Sequence, residues 1–194
     1  MSAICVFCSA SDHVDPFFFS EMETLGGLLA KAGVDVWYGG ASVGLMGKLA
    51  DTVLKKGGVV KGIRPRDFEE KEALQKGLHE VVMVDTLVQR KETMLAKADA
   101  FIGCPGGTGT VGEVMEVIAH RQVGLIKKPM ILLNTLGFWS GLMDMLTEMQ
   151  KQKMINIGLE YLFDVVTEPK EALALLKKYR LVYTETISGQ KSNK

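Results

Sequence analysis

Short β-branched runs alternate with amphipathic segments along this chain, and that alternation restricts its fold more than any other feature. "AICVF" (3–7) reads as a strand, and Asp15 then caps a helix whose first residue is Pro16 and which runs to about Lys31. "VDVWY" (34–38) follows, then the loop "GGASVG", a helix through Lys56 and further strands at 59–63 and 78–84. A helix from Thr86 to Lys97 leads into "AFIGC" (100–104), a glycine-rich loop, and a helix through about Val123. "PMILL" (129–133), a helix near 138–152, "FDVVT" (163–167) and a helix from Pro169 to Lys178 complete the series. Strands separated by helices cannot form hairpins, so the expected fold is α/β: a doubly wound parallel sheet covered on both faces.

No linker or repeat divides the series, so residues 1–180 are expected to form a single domain, followed by a polar tail over 181–194 expected to be disordered. Basic and acidic residues number 23 each, which gives no charged face for nucleic acid. The N-terminus lacks the pattern of a signal peptide, and no apolar run is long enough to span a membrane, so the expected location is cytoplasmic. Cys5 and Cys8 have CxxC spacing. No second pair completes a metal site, and Cys5 falls within a strand, so both read as core thiols of a reduced protein and no metal is expected.

Chemistry is expected where loops leave the carboxyl ends of the strands and enter helices. Two glycine-rich loops stand at such places, "GGASVGLMG" (39–47) and "PGGTGT" (105–110). Backbone N–H groups of such a loop can close around phosphate oxygens at the positive end of a helix, and Thr108 and Thr110 add hydroxyl donors. Neither loop is a Walker A sequence. On the helix after the second loop, Val111, Val114, Met115 and Ile118 form a core stripe at about 100° per residue. Glu113, Glu116 and His120 gather opposite it, with Glu113 one turn from the proposed phosphate site. On the preceding helix Leu87, Val88, Met94, Leu95 and Ala98 form an apolar stripe, with Lys91 in its middle and Arg90 at its edge. Lys91 either snorkels to water or points into a cleft, where Arg90 supplies a fixed guanidinium for an anion.

"RKETM" (90–94) followed by "PGGTGTVGE" (105–113), together with "CVFCSAS" and "YGGASVGLMG", resembles the LOG ("Lonely guy") family over roughly residues 3–180. Its members are cytokinin riboside 5′-monophosphate phosphoribohydrolases, often labelled lysine decarboxylases. The resemblance implies a Rossmann-like fold, usually a dimer, that hydrolyses the N-glycosidic bond of a purine nucleotide such as AMP to free base and ribose 5-phosphate, with no organic cofactor. It also implies catalytic roles for Arg90 and Glu113. Substrate or phosphate contacts are implied at Lys91, Gly106, Gly107, Thr108, Gly109, Thr110, Glu72, Gly40 and Gly44. The chain departs from the family pattern at Ala41, at Leu87-Val88-Gln89, at Gly112 and at Ala119-His120. These changes spare the phosphate loop and Glu113 and fall on the base pocket, so the expectation is a purine-nucleotide hydrolase, with cytokinin as one candidate substrate.

A non-catalytic alternative is a binding protein for an anionic cofactor, such as a molybdenum-cofactor carrier, which resembles this pattern in fold and in its PGGxGT-type loop. A decarboxylase would instead need a lysine that forms a Schiff base with pyridoxal phosphate.

Overall fold

Strands and helices alternate as expected in a computed structural model of the chain, which describes residues 2–68 and 73–182. The strands are β1 (Ala3–Phe7), β2 (Asp35–Tyr38), β3 (Val60–Pro65), β4 (Glu80–Val84), β5 (Ala100–Gly103), β6 (Met130–Leu133) and β7 (Asp164–Val166). The helices are α1 (Pro16–Lys31), α2 (Gly44–Lys55), α3 (Leu87–Lys97), α4 (Thr108–Gln122), α5 (Ser140–Lys151) and α6 (Pro169–Lys178). The seven strands of the described residues form one sheet in the order β4-β3-β2-β1-β5-β6-β7. Every pairing in it is parallel.

Alternation along each strand divides the core into two layers. Ile4 and Val6 of β1 face one side and pack with Met22, Leu25 and Leu29 of α1, Leu45 and Leu49 of α2, and Leu176 of α6. Cys5 and Phe7 face the other, with Met94 of α3, Val114, Val117 and Ile118 of α4, and Leu146 of α5. All three cysteines are buried free thiols, so they act as small apolar residues. Leu181 and Val182 also pack on the core. The rest of the tail, 183–194, lies outside the described residues, as does Glu72.

Local chemistry accounts for the starts of α1, α3 and α6, which are capped by side chains. The Asp15 carboxylate accepts from the Phe17 N–H at 2.8 Å, a cap worth about 1 kcal/mol, with Pro16 in the first helical position. Thr86 caps α3 by accepting from Gln89 N–H at 3.1 Å. Three short 3₁₀ turns, at Arg66–Phe68, Thr135–Gly137 and Leu159–Tyr161, have no periodic signal in the sequence.

The chain runs outward from β1 to β4 and then crosses to β5 on the other side of β1. That reversal leaves a crevice between the carboxyl ends of β1 and β5, the usual ligand position in such sheets. The two loops are tied at its base, where Cys104 N–H donates to Phe7 O at 2.8 Å and Ser9 N–H to Pro105 O at 3.1 Å.

Candidate active site

The crevice opens into a cavity of about 390 Å³. Its floor is the end of β1 and the loop beyond it, Phe7 to Ser11. One wall is the start of α4, with Gly107, Thr108, Gly109, Thr110 and Glu113. Gly39, Met46, Phe68, Leu87 and Arg90 form the opposite side.

Helix α4 begins at an extended Gly107 with no side-chain cap, so its first N–H groups have no partner within the helix and turn toward the cavity. Beta carbons at Gly107 and Gly109 would meet nothing within 4 Å, so these glycines keep the backbone open to a ligand. Gly106 differs. A Cβ there would strike the Thr110 side chain, which folds back over it, and Gly106 does not line the cavity. Thr108 is exposed, and Thr110 is 5% exposed at the cavity wall. A row of free N–H groups at a helix start, with a hydroxyl beside it, suits a phosphate.

The first glycine loop serves the fold more than the cavity. Gly44 has φ 59°, and a Cβ on it would drive into the Ala10 backbone. Its N–H is already committed to the Asp12 carboxylate at 2.8 Å. Neither Gly40 nor Gly44 lines the cavity, whereas Gly39 and Met46 do. Sequence reasoning passed over Gly39, yet its lack of a side chain makes room for Arg90: a Cβ would displace the guanidinium and the Met46 sulfur.

Arg90 is held from several directions. Its Nε donates to Ile63 O at 3.2 Å, its Nη2 lies against Gly39, and its Nη1 is 3.4 Å from Glu113 Oε1. The two side chains are only 13% and 12% exposed. Burial pushes the Glu113 carboxyl above the usual carboxylate range, and the charges of Arg90 and Lys91 oppose that rise. The structure therefore brings together Arg90, Glu113 and the start of α4.

Two helix faces differ from expectation. Glu113 does not stand opposite the core stripe of α4, because Val117, one turn beyond it, is fully buried. The buried residues are Thr110, Val114, Val117 and Ile118, while Val111 and Met115 are partly buried at the edge. On α3, Leu87 and Val88 are 54% and 61% exposed, and only Met94 and Ala98 of the expected stripe are fully packed. The first turn of α3 overhangs the crevice instead of the sheet, so Leu87 meets the cavity and not the core. Lys91 does not line the cavity; its ammonium pairs with Glu116 at 2.5 Å. Ser9, Ser11 and Phe68 also lie on the wall without having been singled out in the sequence. For Ser9 and Ser11 the signal was the position of β1 at the middle of the sheet, which only the strand order reveals, whereas Phe68 belongs to the turn after β3.

Known proteins resemble this chain in sequence and in fold. A family model described as "Possible lysine decarboxylase" matches residues 46–176. A probable cytokinin riboside 5′-monophosphate phosphoribohydrolase of Oryza sativa subsp. japonica is 35% identical over 176 residues, 91% of this chain and 70% of that protein. A cytokinin riboside 5′-monophosphate phosphoribohydrolase of Arabidopsis thaliana is 34% identical over 185 residues, 95% and 85% of the two chains. Among solved structures, the molybdenum cofactor binding protein of Rippkaea orientalis superposes with TM-score 0.69 at 21% identity, covering 92% of this chain and 97% of that one. The molybdenum cofactor carrier protein of Chlamydomonas reinhardtii gives TM-score 0.69 at 18% identity, covering 91% and 96%. These two likenesses concern the fold.

Proposed function

The chain belongs to the LOG family of phosphoribohydrolases, whose family model carries the lysine decarboxylase description, and from that premise we propose that it hydrolyses purine riboside 5′-monophosphates. The products are a free base and ribose 5-phosphate. The observation that carries this reading is the buried Arg90–Glu113 pair facing the same cavity as the open start of α4.

The dimensions suit the substrate. Thr108 and Glu113 are separated by about 7.5 Å along the helix axis at 1.5 Å per residue. A phosphate on the N–H groups of 107–110 then leaves the anomeric carbon of its ribose near the Glu113 carboxylate. When the C1′–N bond breaks, its electron pair leaves with the base, which takes up a proton, and positive charge builds on the ribose. An ionised Glu113 stabilises that charge and accepts a proton from the water that attacks C1′. Arg90, 3.4 Å away, opposes the rise that burial causes, which favours the ionised carboxylate, and it fixes the orientation of that carboxylate. The anchored phosphate supplies binding energy remote from the reacting bond and positions the ribose.

No lysine is present among the described residues that line the cavity, so the chemistry of a Schiff base with pyridoxal phosphate finds no amine there. The base meets Met46, Phe68 and Leu87, an apolar wall that fits a planar ring. We place the enzyme in the cytoplasm, a reading supported by its free thiols, and as a homodimer. Among the described residues no helix is long and apolar enough to cross a membrane.

Incubation with a panel of purine nucleoside monophosphates, N6-substituted ones included, tests the proposal. Ribose 5-phosphate should appear in step with free base, and the base released fastest identifies the substrate. Tight retention of an intact anionic ligand without any base release would favour the carrier reading instead.

A further inference from the structure

On the far side of Glu113 from the cavity lies a charged group that the hydrolytic reading leaves unused. Glu116 follows Glu113 by three residues on α4, so the two carboxylates share a face of the helix. Its Oε2 is 2.5 Å from Lys91 Nζ on α3, and each of these side chains is 31% exposed. His120, a turn further on, donates from Nδ1 to the Glu116 carbonyl at 2.8 Å and stands 4.0 Å from its Oε1. Lys91, Glu113 and Glu116 line one narrow gap together with Phe7, Met94, Leu95 and Val117, too narrow to hold a water molecule.

Glu113, at 12% side-chain exposure, responds to neighbouring charge more strongly than a solvated carboxylate does, while Lys91 and Glu116 remain partly screened by water. Glu116 without a partner would oppose ionisation of Glu113, because two neighbouring carboxylates do not both ionise freely. Glu113 is already pushed up by burial, and among the described residues Arg90 and Lys91 counter that rise. The other groups facing Glu113 carry no compensating charge: the Cys5 and Cys8 thiols of the β1 side are held neutral by burial, which pushes them up. Lys91 is also absent from the cavity wall.

We propose that Lys91 is a positioning residue that acts through Glu116: it neutralises that carboxylate so that Glu113 stays ionised, and it does not touch the substrate. The proposal rests on the reading that Glu113 is the reacting carboxylate. It changes how the Arg-Lys pair of α3 is understood, since Arg90 faces the ligand and Lys91 faces the groups behind it.

The decisive experiment titrates the Glu113 carboxyl in the free protein by carbon-13 NMR, with the resonance assigned through Glu113→Gln. It compares wild type with Lys91→Met, Lys91→Arg and the double variant Lys91→Met/Glu116→Gln. In parallel, the pH profile of kcat/KM and the KM for AMP are measured. Lys91→Met should raise the Glu113 midpoint by about one pH unit and carry the acid limb of kcat/KM with it, while KM for AMP stays unchanged. Lys91→Arg keeps the charge and should hold the midpoint. The double variant removes both charges and should return the midpoint to its wild-type position. A midpoint unmoved by Lys91→Met together with a raised KM would make Lys91 a ligand contact and overturn the proposal. A double variant as shifted as the single one would overturn the route through Glu116. If wild type released no base from any nucleotide, the hydrolase reading would fall, and the carboxyl titration would still decide whether Lys91 and Glu116 control Glu113.

Discussion

Glu113 is a carboxylate whose surroundings oppose its charge, at 12% side-chain exposure with a single guanidinium at 3.4 Å. Its carboxyl is raised above the usual range by burial, so ionising it in the folded protein costs stability. That cost is absent below the unfolded value of about 4.3, where both states are protonated, and is fully present above the folded value. Glu113→Gln mimics the protonated form and fills the same space. At neutral pH its melting temperature should therefore equal or exceed that of wild type, and the difference should shrink toward pH 4, as a calorimetric pH series would record. A variant that melts lower at every pH would mean that Glu113 serves as a helix-start residue, for which the dipole contributes about 0.3–1 kcal/mol. At this scale the sequence was legible only in part. The family resemblance marked Arg90 and Glu113 for chemistry, and the residues alone placed Glu113 a turn from the glycine loop, but the burial of Val117 and the committed ammonium of Lys91 depend on how α3 leans on α4. One helix read alone does not carry that information.

Helix α4 and the loop before it work as a unit, with free N–H groups at the start and the carboxylate about one turn further in. If that unit holds the 5′-phosphate, AMP should be cleaved far more efficiently than adenosine. Thr108→Ala removes an exposed hydroxyl that caps nothing, so folding should be untouched. A hydrogen bond to a charged group is worth about 1.5–3 kcal/mol, so kcat/KM for AMP should drop tenfold or more in that variant, with adenosine unaffected. Steady-state kinetics on both substrates decides this, and equal cleavage of AMP and adenosine would remove the phosphate role. Most elements were readable from the chain because capping residues and strand alternation are local signals, as at Asp15, Pro16 and Pro169. In the first glycine loop Gly39 and Met46 line the cavity, whereas Gly40 and Gly44 do not. Its glycines resemble a phosphate cradle, but Gly44 is fixed by contact with Ala10 and Asp12, partners more than thirty residues earlier. The first turn of α3 misled for the same reason: an apolar Leu87 looks like core until the crevice beneath it is seen.

The whole molecule places Arg90, Glu113 and the open start of α4 around the crossover between β1 and β5, a position that follows from strand order and not from any single motif. Met145 at 57% exposure and Val88 at 61% leave apolar surface that a second copy could cover, whereas Met143 and Met149 pack on the core. Light scattering at micromolar concentration should return twice the chain mass, and a monomer would contradict the dimer. The central claim is that this cavity breaks an N-glycosidic bond by means of Glu113. It is tested most directly by following AMP turnover in wild type and Glu113→Gln side by side, with adenine and ribose 5-phosphate both quantified. Wild type should yield the two products in equal amounts, and the variant should be slower by at least about a hundredfold while still binding ribose 5-phosphate. Intact AMP recovered from wild type, or undiminished turnover in the variant, would contradict the account.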